Sequence, residues 1–301
     1  MVSRKRSKGI RVANSERVYD VFVYIMITLL GVICLYPYLN VMAKSFSGAE
    51  EVLSGKVMGI LPKGFNLEAY AMTIKSERFV RSAGNTVFIT VVGTLLNVML
   101  TYFVAYATSR KRLPGSKLIM TLYIITMMFS GGMIPTYFVI INAGLRNSLW
   151  SLILPGLVVP YNLILMRNYM AALPGELEES ASIDGASQWT VMFRILLPLT
   201  LPSIATIVLF CAVSQWNSYF NALLYIDDRS KTVLQQYIRE LLASVGDAEK
   251  NGGDVREMMH GMPTETVRAA CVVCATLPIL CVYPFLQKYY IKGMTLGAVK
   301  G

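Results

Sequence analysis

Residues 195–226 read ILLPLTLPSIATIVLFCAVSQWNSYFNALLYI, a stretch with no Asp, Glu, Lys or Arg. About 20 mainly apolar residues in a helix are enough to cross the hydrocarbon of a bilayer, so this one segment can span a membrane. Five more charge-free runs of that kind follow from the same reading, at 21–43, 85–109, 118–145, 147–166 and 269–287. Charged residues make up 15% of the chain and hydrophobic ones 54%, with a mean hydropathy of +0.51. A soluble domain carries roughly 25% charged residues, too many to be compatible with this composition. A membrane barrel would show short segments of alternating polarity in place of continuous apolar runs. The expected fold class is therefore an all-α membrane protein with six transmembrane helices.

The charges between the runs give an orientation. Residues 1–20 hold Arg4, Lys5, Arg6, Lys8, Arg11 and Arg17, and the loop after the second run holds Arg110, Lys111, Arg112 and Lys117. Short basic segments stay in the cytoplasm, so a basic cytoplasmic tail (1–20), a membrane domain (21–291) and a cytoplasmic C-terminal tail (292–301) are expected. The formal charge of +10 then follows from membrane topology. No basic module interleaved with aromatics suggests nucleic-acid binding. A basic start before an apolar run also resembles a signal peptide, with Val41-Met42-Ala43 as a crude cleavage site. The length of the run and its Tyr36, Pro37 and Asn40 favour an uncleaved span. All five cysteines lie in the runs, and His260 is the single histidine. The Cys271–Cys274 pair has no strand–helix context, so neither redox nor metal chemistry is indicated.

Three loops are expected outside. Residues 44–84 should form short interfacial helices, 142–147 a tight turn, and 227–268 two helical patches around a Lys250–Asp254 turn. Inside, residues 167–198 read RNYMAALPGELEESASIDGASQWTVMFRILLP. Pro174 can open a helix, and Glu176, Glu178 and Glu179 suit its first turn, where the helix dipole favours carboxylates. Gly185 can stop that helix in a left-handed conformation, and Ser187 can cap the next. Pro198 and Pro202 mark the entry to the fifth span. The pattern predicts a compact knob on the membrane floor.

Within that loop, Glu179-Ser180-Ala181, three residues, Gly185, nine residues, then Ile195-Leu196-Leu197-Pro198 resembles the E-A-A loop of ABC importer permeases. Every spacing matches, Ser180 replaces the second alanine, and Asp184 and Ala186 complete a D-G-A version. The chain as a whole is similar to the six-span partner of the maltose-type permeases, in their oligosaccharide branch. Tyr36-Pro-Tyr-Leu-Asn40, Ser45-Phe46, Trp216-Asn217, Tyr283-Pro-Phe-Leu-Gln-Lys288 and the Lys292–Gly301 end add to the likeness.

The resemblance implies the type I ABC importer fold with a cytoplasmic coupling helix, in a bacterial plasma membrane. It implies a second homologous permease, an ATPase dimer that carries ATP and Mg, and an extracytoplasmic solute-binding protein. This chain is then no enzyme and binds no cofactor or metal of its own. By the same resemblance Glu179 contacts the ATPase, Ala181 and Gly185 permit close approach, Asp184 acts within the loop and Pro198 stiffens the joint to span five.

No G-x-x-x-x-G-K-[ST] occurs, so the energy source must be another subunit. The runs hold no ionisable residue except Arg146 and Arg194 at their edges, which speaks for a neutral substrate and an external motor over ion coupling. Gln215, Trp216, Asn217, Tyr219, Phe220 and Asn221 offer ring faces and amides suited to sugars, or an interfacial belt and helix-gluing amides. Gly131, Gly132 and Pro135 should break or kink span three, forming part of a gate or only easing packing. Permeation of peptides or amino acids remains a second possibility, and an ion-coupled transporter or channel a third.

Overall fold

The computed structural model describes residues 14–110, 113–251 and 264–298. Every regular element in them is helical. Tyr19–Ser45, Glu77–Ser109, Gln188–Trp216 and Glu265–Pro284 are each long and apolar enough to cross a membrane. Two bent pairs, Ser116–Met128 with Met133–Asn142 and Trp150–Gly156 with Pro160–Ala171, bring the total to as many as six. The described residues fall into two compact units, one holding those up to Tyr70 with 264–273, the other 71–251 with 274–298.

In the first unit, helix α1 (Asn14–Ser45) carries the first span. Its C-terminal end is tied to the loop that follows. Tyr36 donates to the Met58 carbonyl at 2.8 Å and Asn40 to the Gly59 carbonyl at 2.8 Å. Phe46 stacks on Phe65 and Tyr70, with ring centroids 5.9 and 4.9 Å away. The loop holds the short helices α2 (Ala49–Leu53) and α3 (Glu68–Lys75), as its sequence suggested.

The second unit is organised on α4 (Glu77–Ser109), which begins eight residues before the charge-free run does and is capped by the Ser76 hydroxyl. Its buried face is a ladder of small or short polar residues, among them Ser82, Thr86, Gly93, Asn97, Thr101 and Ala105. Small residues let neighbouring helices come close where no hydrophobic force separates helix from lipid. A Cβ on Gly93 would sit 3.1 Å from the Gln215 amide nitrogen, so this position needs glycine for proximity.

Span three is α5 (Ser116–Met128) and α6 (Met133–Asn142), bent by 120° at the break. This exceeds a kink. Gly132 caps α6 at φ +86°, ψ 168°, a conformation open to glycine, while Gly131 has open space around it. Pro135 sits in the first turn of α6, where its missing N–H is harmless.

Span four differs from expectation. The run 147–166 is interrupted at Leu154-Pro155-Gly156, a 3₁₀ turn between α7 (Trp150–Ile153) and α8 (Pro160–Ala171), with a 46° bend. The helix α8 then continues beyond Met166 to Ala171. Arg167, read as the first loop residue, is helical and donates to the Thr108 carbonyl at 3.2 Å.

Helix α9 (Glu176–Ile183) and the short α10 (Gln188–Thr190) form the knob. Residues Val191–Leu196 follow as a π-helical stretch that runs straight into α11 (Leu197–Trp216). Span five ends at Trp216, ten residues short of the apolar run, and the chain turns into α12 (Phe220–Tyr225). Two further helices follow, α13 (Leu234–Asn251) and α14 (Thr264–Ala298), the latter helical past residue 292. The expected second patch of the last outer loop, and His260, fall mainly outside the described residues.

The short turn before span four is knotted to the segment after α12. The Asn147 carbonyl side-chain oxygen accepts from the Asp227 and Asp228 amides at 2.6 and 3.1 Å, and Arg146 pairs with Asp227. The Ser230 amide and hydroxyl hold the Asp228 carboxyl below its usual range.

Candidate functional site: a coupling knob and a polar cavity

The knob is built as its sequence proposes, with geometry that explains each turn. Gly185, at φ +79°, lets the chain leave α9 in a left-handed bend. The Ala186 amide donates to the Ala181 carbonyl at 2.9 Å and the Gly185 amide to Ser182 at 3.2 Å, the two bonds of a Schellman end. The Ser187 hydroxyl then accepts from the Thr190 amide at 3.2 Å, starting α10. No atom lies within 4 Å of a Cβ placed on Gly185, so conformation and not crowding within this chain requires glycine there.

Ala181 is 8% exposed and packs with Val191 and Leu196, with Ala186 and Ile195 at the edge of the same cluster. Its small side chain therefore serves this chain's own packing. Glu179, Ser180, Asp184, Gly185 and Pro198 face outward, with Leu197 half-buried between. Beside Glu179 stands Ile183, 86% exposed.

The opposite side of the knob is fastened to the inner end of α4. Arg110 pairs with Glu178, their side chains only 22% and 20% exposed. The Arg110 guanidinium lies 5.4 Å over the Tyr106 ring, and the Tyr106 hydroxyl donates to the Gln188 side-chain oxygen at 2.5 Å. Trp189 and Phe193 stack at 5.9 Å, and Phe103 of α4 meets both edge-on. The Tyr102 hydroxyl donates to the Met192 carbonyl inside the π stretch at 2.7 Å. None of these α4 residues stood out in the sequence, because aromatics and a terminal arginine are ordinary at the ends of spans.

Towards the other end of the bundle, a cavity of about 570 Å³ lies among α4, α6, α7, α8, α11 and α12. Ligand pockets commonly fall between 300 and 1,000 Å³. Its wall includes Gln215, Asn217, Tyr219, Phe220 and Asn221, five of the six residues expected there. Trp216 is the exception. It is 8% exposed, turns toward α14, and its indole N–H donates to the Ala275 carbonyl at 3.1 Å. It braces the bundle and does not line the cavity.

The sequence reading missed Asn97, Asn162, Tyr161 and Thr136, which complete the lining. The Cys211 thiol donates to the Asn97 side-chain oxygen and accepts from the Asn162 amide, while the Asn97 amide donates to the Gly156 carbonyl at 2.8 Å. Amides are scarce inside apolar spans, and that scarcity is the signal that could have marked them. Gly131, Gly132 and Pro135 do not reach the wall, although Thr136, on the same half-helix, does. Among the described residues no group of His, Cys, Asp or Glu could hold a metal ion.

Comparison with known proteins finds relatives along nearly the whole chain. The chain is 42% identical to the polygalacturonan/rhamnogalacturonan transport system permease protein YtcP of Bacillus subtilis, over 95% of this chain and 99% of that one. It is 45% identical to Protein LplC of Bacillus subtilis, over 96% and 97%. A bacterial ABC transporter involved in the import of the acidic polysaccharide alginate contains a chain that superposes with a TM-score of 0.85, at 30% identity, covering 93% of this chain and 99% of that one. Residues 97–296, which include the cavity amides, the knob and its π-helical joint, match the family described as Binding-protein-dependent transport system inner membrane component, and the chain belongs to that family.

Proposed function

We propose that this ABC importer permease passes oligosaccharides through the α4–α12 cavity, and that its α9 knob takes the stroke of a separate ATPase. The carrying observation is the two-sided knob: Ile183 and Glu179 are open on one side, and the Arg110–Glu178 and Tyr106–Gln188 contacts hold the other. A helix clamped on one side and bare on the other is suited to receive a push and pass it on. The lining supports a sugar, since Asn and Gln both donate and accept hydrogen bonds and Tyr161, Tyr219 and Phe220 offer ring faces. The chain itself is a transport subunit. ATP and Mg belong to the ATPase, a second permease completes the path, and an extracytoplasmic binding protein delivers the sugar. The basic segments at 1–20 and 110–117 support a topology with both termini in the cytoplasm.

The test is the ATPase activity of the purified complex in lipid, with Glu179→Ala combined with Gly185→Leu. Stimulation by the loaded binding protein should fall at least tenfold, with the subunits still assembled. Unchanged stimulation in a folded, assembled complex would refute the coupling role.

A further inference from the structure

The cavity wall holds amides, hydroxyls and rings but no charged side chain, whereas two of the relatives named above, YtcP and the alginate importer, are named for polymers of acidic sugars. A carboxylate on a sugar ring has no counter-charge inside this cavity. Helix α13 provides one at its edge. Gln235 and Arg239 are four residues apart, on one face of that helix. Each touches a residue of the lining. The Gln235 amide donates to the Asn217 side-chain oxygen at 3.4 Å, and the Arg239 guanidinium lies 5.2 Å over the Tyr219 ring.

Three cations in the same region are used differently. Arg78 pairs with Glu240, Arg146 with Asp227 and Lys231 with Asp228. Among the described residues Arg239 has no acidic partner within 4.0 Å and is exposed. The cation–π contact engages the ring face without using an N–H in a hydrogen bond, and a guanidinium fork matches a carboxylate in two parallel hydrogen bonds. The ring beneath fixes where that fork lies, so less side-chain freedom is lost when it engages.

We infer that Arg239, held on Tyr219, is a specificity residue that reads the carboxylate of a uronate-containing oligosaccharide at the cavity rim, while the amides inside read hydroxyls. This rests on the cavity being the sugar path and adds the class of sugar. It also replaces the neutral substrate suggested by the absence of charge within the spans, because the discriminating charge stands just outside them, on α13.

The experiment uses the assembled complex, with partner permease and ATPases, in nanodiscs. Binding of a tetragalacturonate and of its carboxyl-reduced, neutral counterpart is measured at low salt without the binding protein. The intact complex should prefer the acidic form about tenfold, equivalent to about 1.4 kcal/mol. Arg239→Gln should abolish the preference and leave the neutral form unchanged within twofold. Arg239→Lys should restore part of it, and raising salt should erode it, since an exposed charge is screened. The paired change Asn217→Ala with Asn221→Ala should weaken both forms equally. If the intact complex shows no preference, or if Arg239→Gln keeps it or weakens both forms alike, Arg239 does not read a carboxylate. If neither form binds, or the Asn pair has no effect, the cavity is not the sugar path, and that larger reading falls.

Discussion

The knob and the broken third span are both built around glycines in left-handed backbone, yet they are held in opposite ways. At the knob, Gly185 is followed by two Schellman bonds and a hydroxyl cap, and an ion pair, a cation–π contact and an aromatic stack secure the whole to α4. At the 120° break, the Ser130 hydroxyl accepts from the Gly132 amide, and Phe129, Met128 and Ile134 stand exposed around it. The one is cross-linked into a block. The other is a bend with few cross-links and an exposed apolar surface. Position in a membrane does not decide which of these a glycine turn becomes; the number of its cross-links does.

The contrast breaks most visibly if the clamp is cut. Glu178→Ala strands Arg110 in a half-buried site, and leaving a desolvated charge without its partner costs about 3–5 kcal/mol when fully buried, less here. Binding-protein stimulation of the ATPase should drop about tenfold or more while basal hydrolysis persists. Exchanging the charges, Arg110→Glu with Glu178→Arg, should recover much of it; equal loss in the exchanged form would mean the pair does not position α9.

The two glycines of the break sharpen the comparison next. Gly132→Leu must take a positive φ and should lower thermal stability by about 1–3 kcal/mol. Gly131→Leu meets open space and should change it by less than about 0.5 kcal/mol. A similar cost for both would show that crowding, not backbone conformation, governs the bend. Transport by Gly131→Leu at the normal rate would also remove that residue from any gate.

A smaller effect is expected of Trp216→Phe, which loses the bond to Ala275 and should cost about 1 kcal/mol. Sugar affinity should be unaffected, because the side chain faces α14; a selective loss of affinity would return Trp216 to the path. The least effect belongs to Asp228. Its carboxyl is held low by the Ser230 amide and hydroxyl. A depressed acid contributes its stability above the ordinary carboxylate range and loses it only as pH falls through the folded value. Asp228→Asn should thus lower stability slightly and evenly across pH 6–8 and flatten the acid limb well below neutrality, where the two forms converge, as followed by thermal unfolding across pH.

Charge-free runs found every span because membrane solvation is decided by charge, and the spacing from Glu179 to Pro198 fixed the knob. The same criterion was blind inside an apolar run. It passed over the turn at Leu154-Pro155-Gly156 and carried span five on to Ile226 although α11 stops at Trp216. Proline and glycine signalled the first of these; nothing apolar signalled the second. Nor does residue type state direction, so Trp216 and Asn217 were assigned to one wall though they face different ways. Asn97 and Asn162 escaped notice because they belong to other helices, and only packing brings them to Gln215.

The wide stretch at Val191–Leu196 leads the knob into span five just ahead of Pro198, whose ring would crowd the carbonyl of Arg194 in a regular helix. Such a turn is slack wound into a rod. Each α-helical residue advances about 100° around its axis, so letting out or taking in one residue there swivels everything beyond it by about that angle. Applied to α11, such a swivel would sweep Gln215 off the wall it shares with Asn97 and bring another side chain round, with no helix unwound.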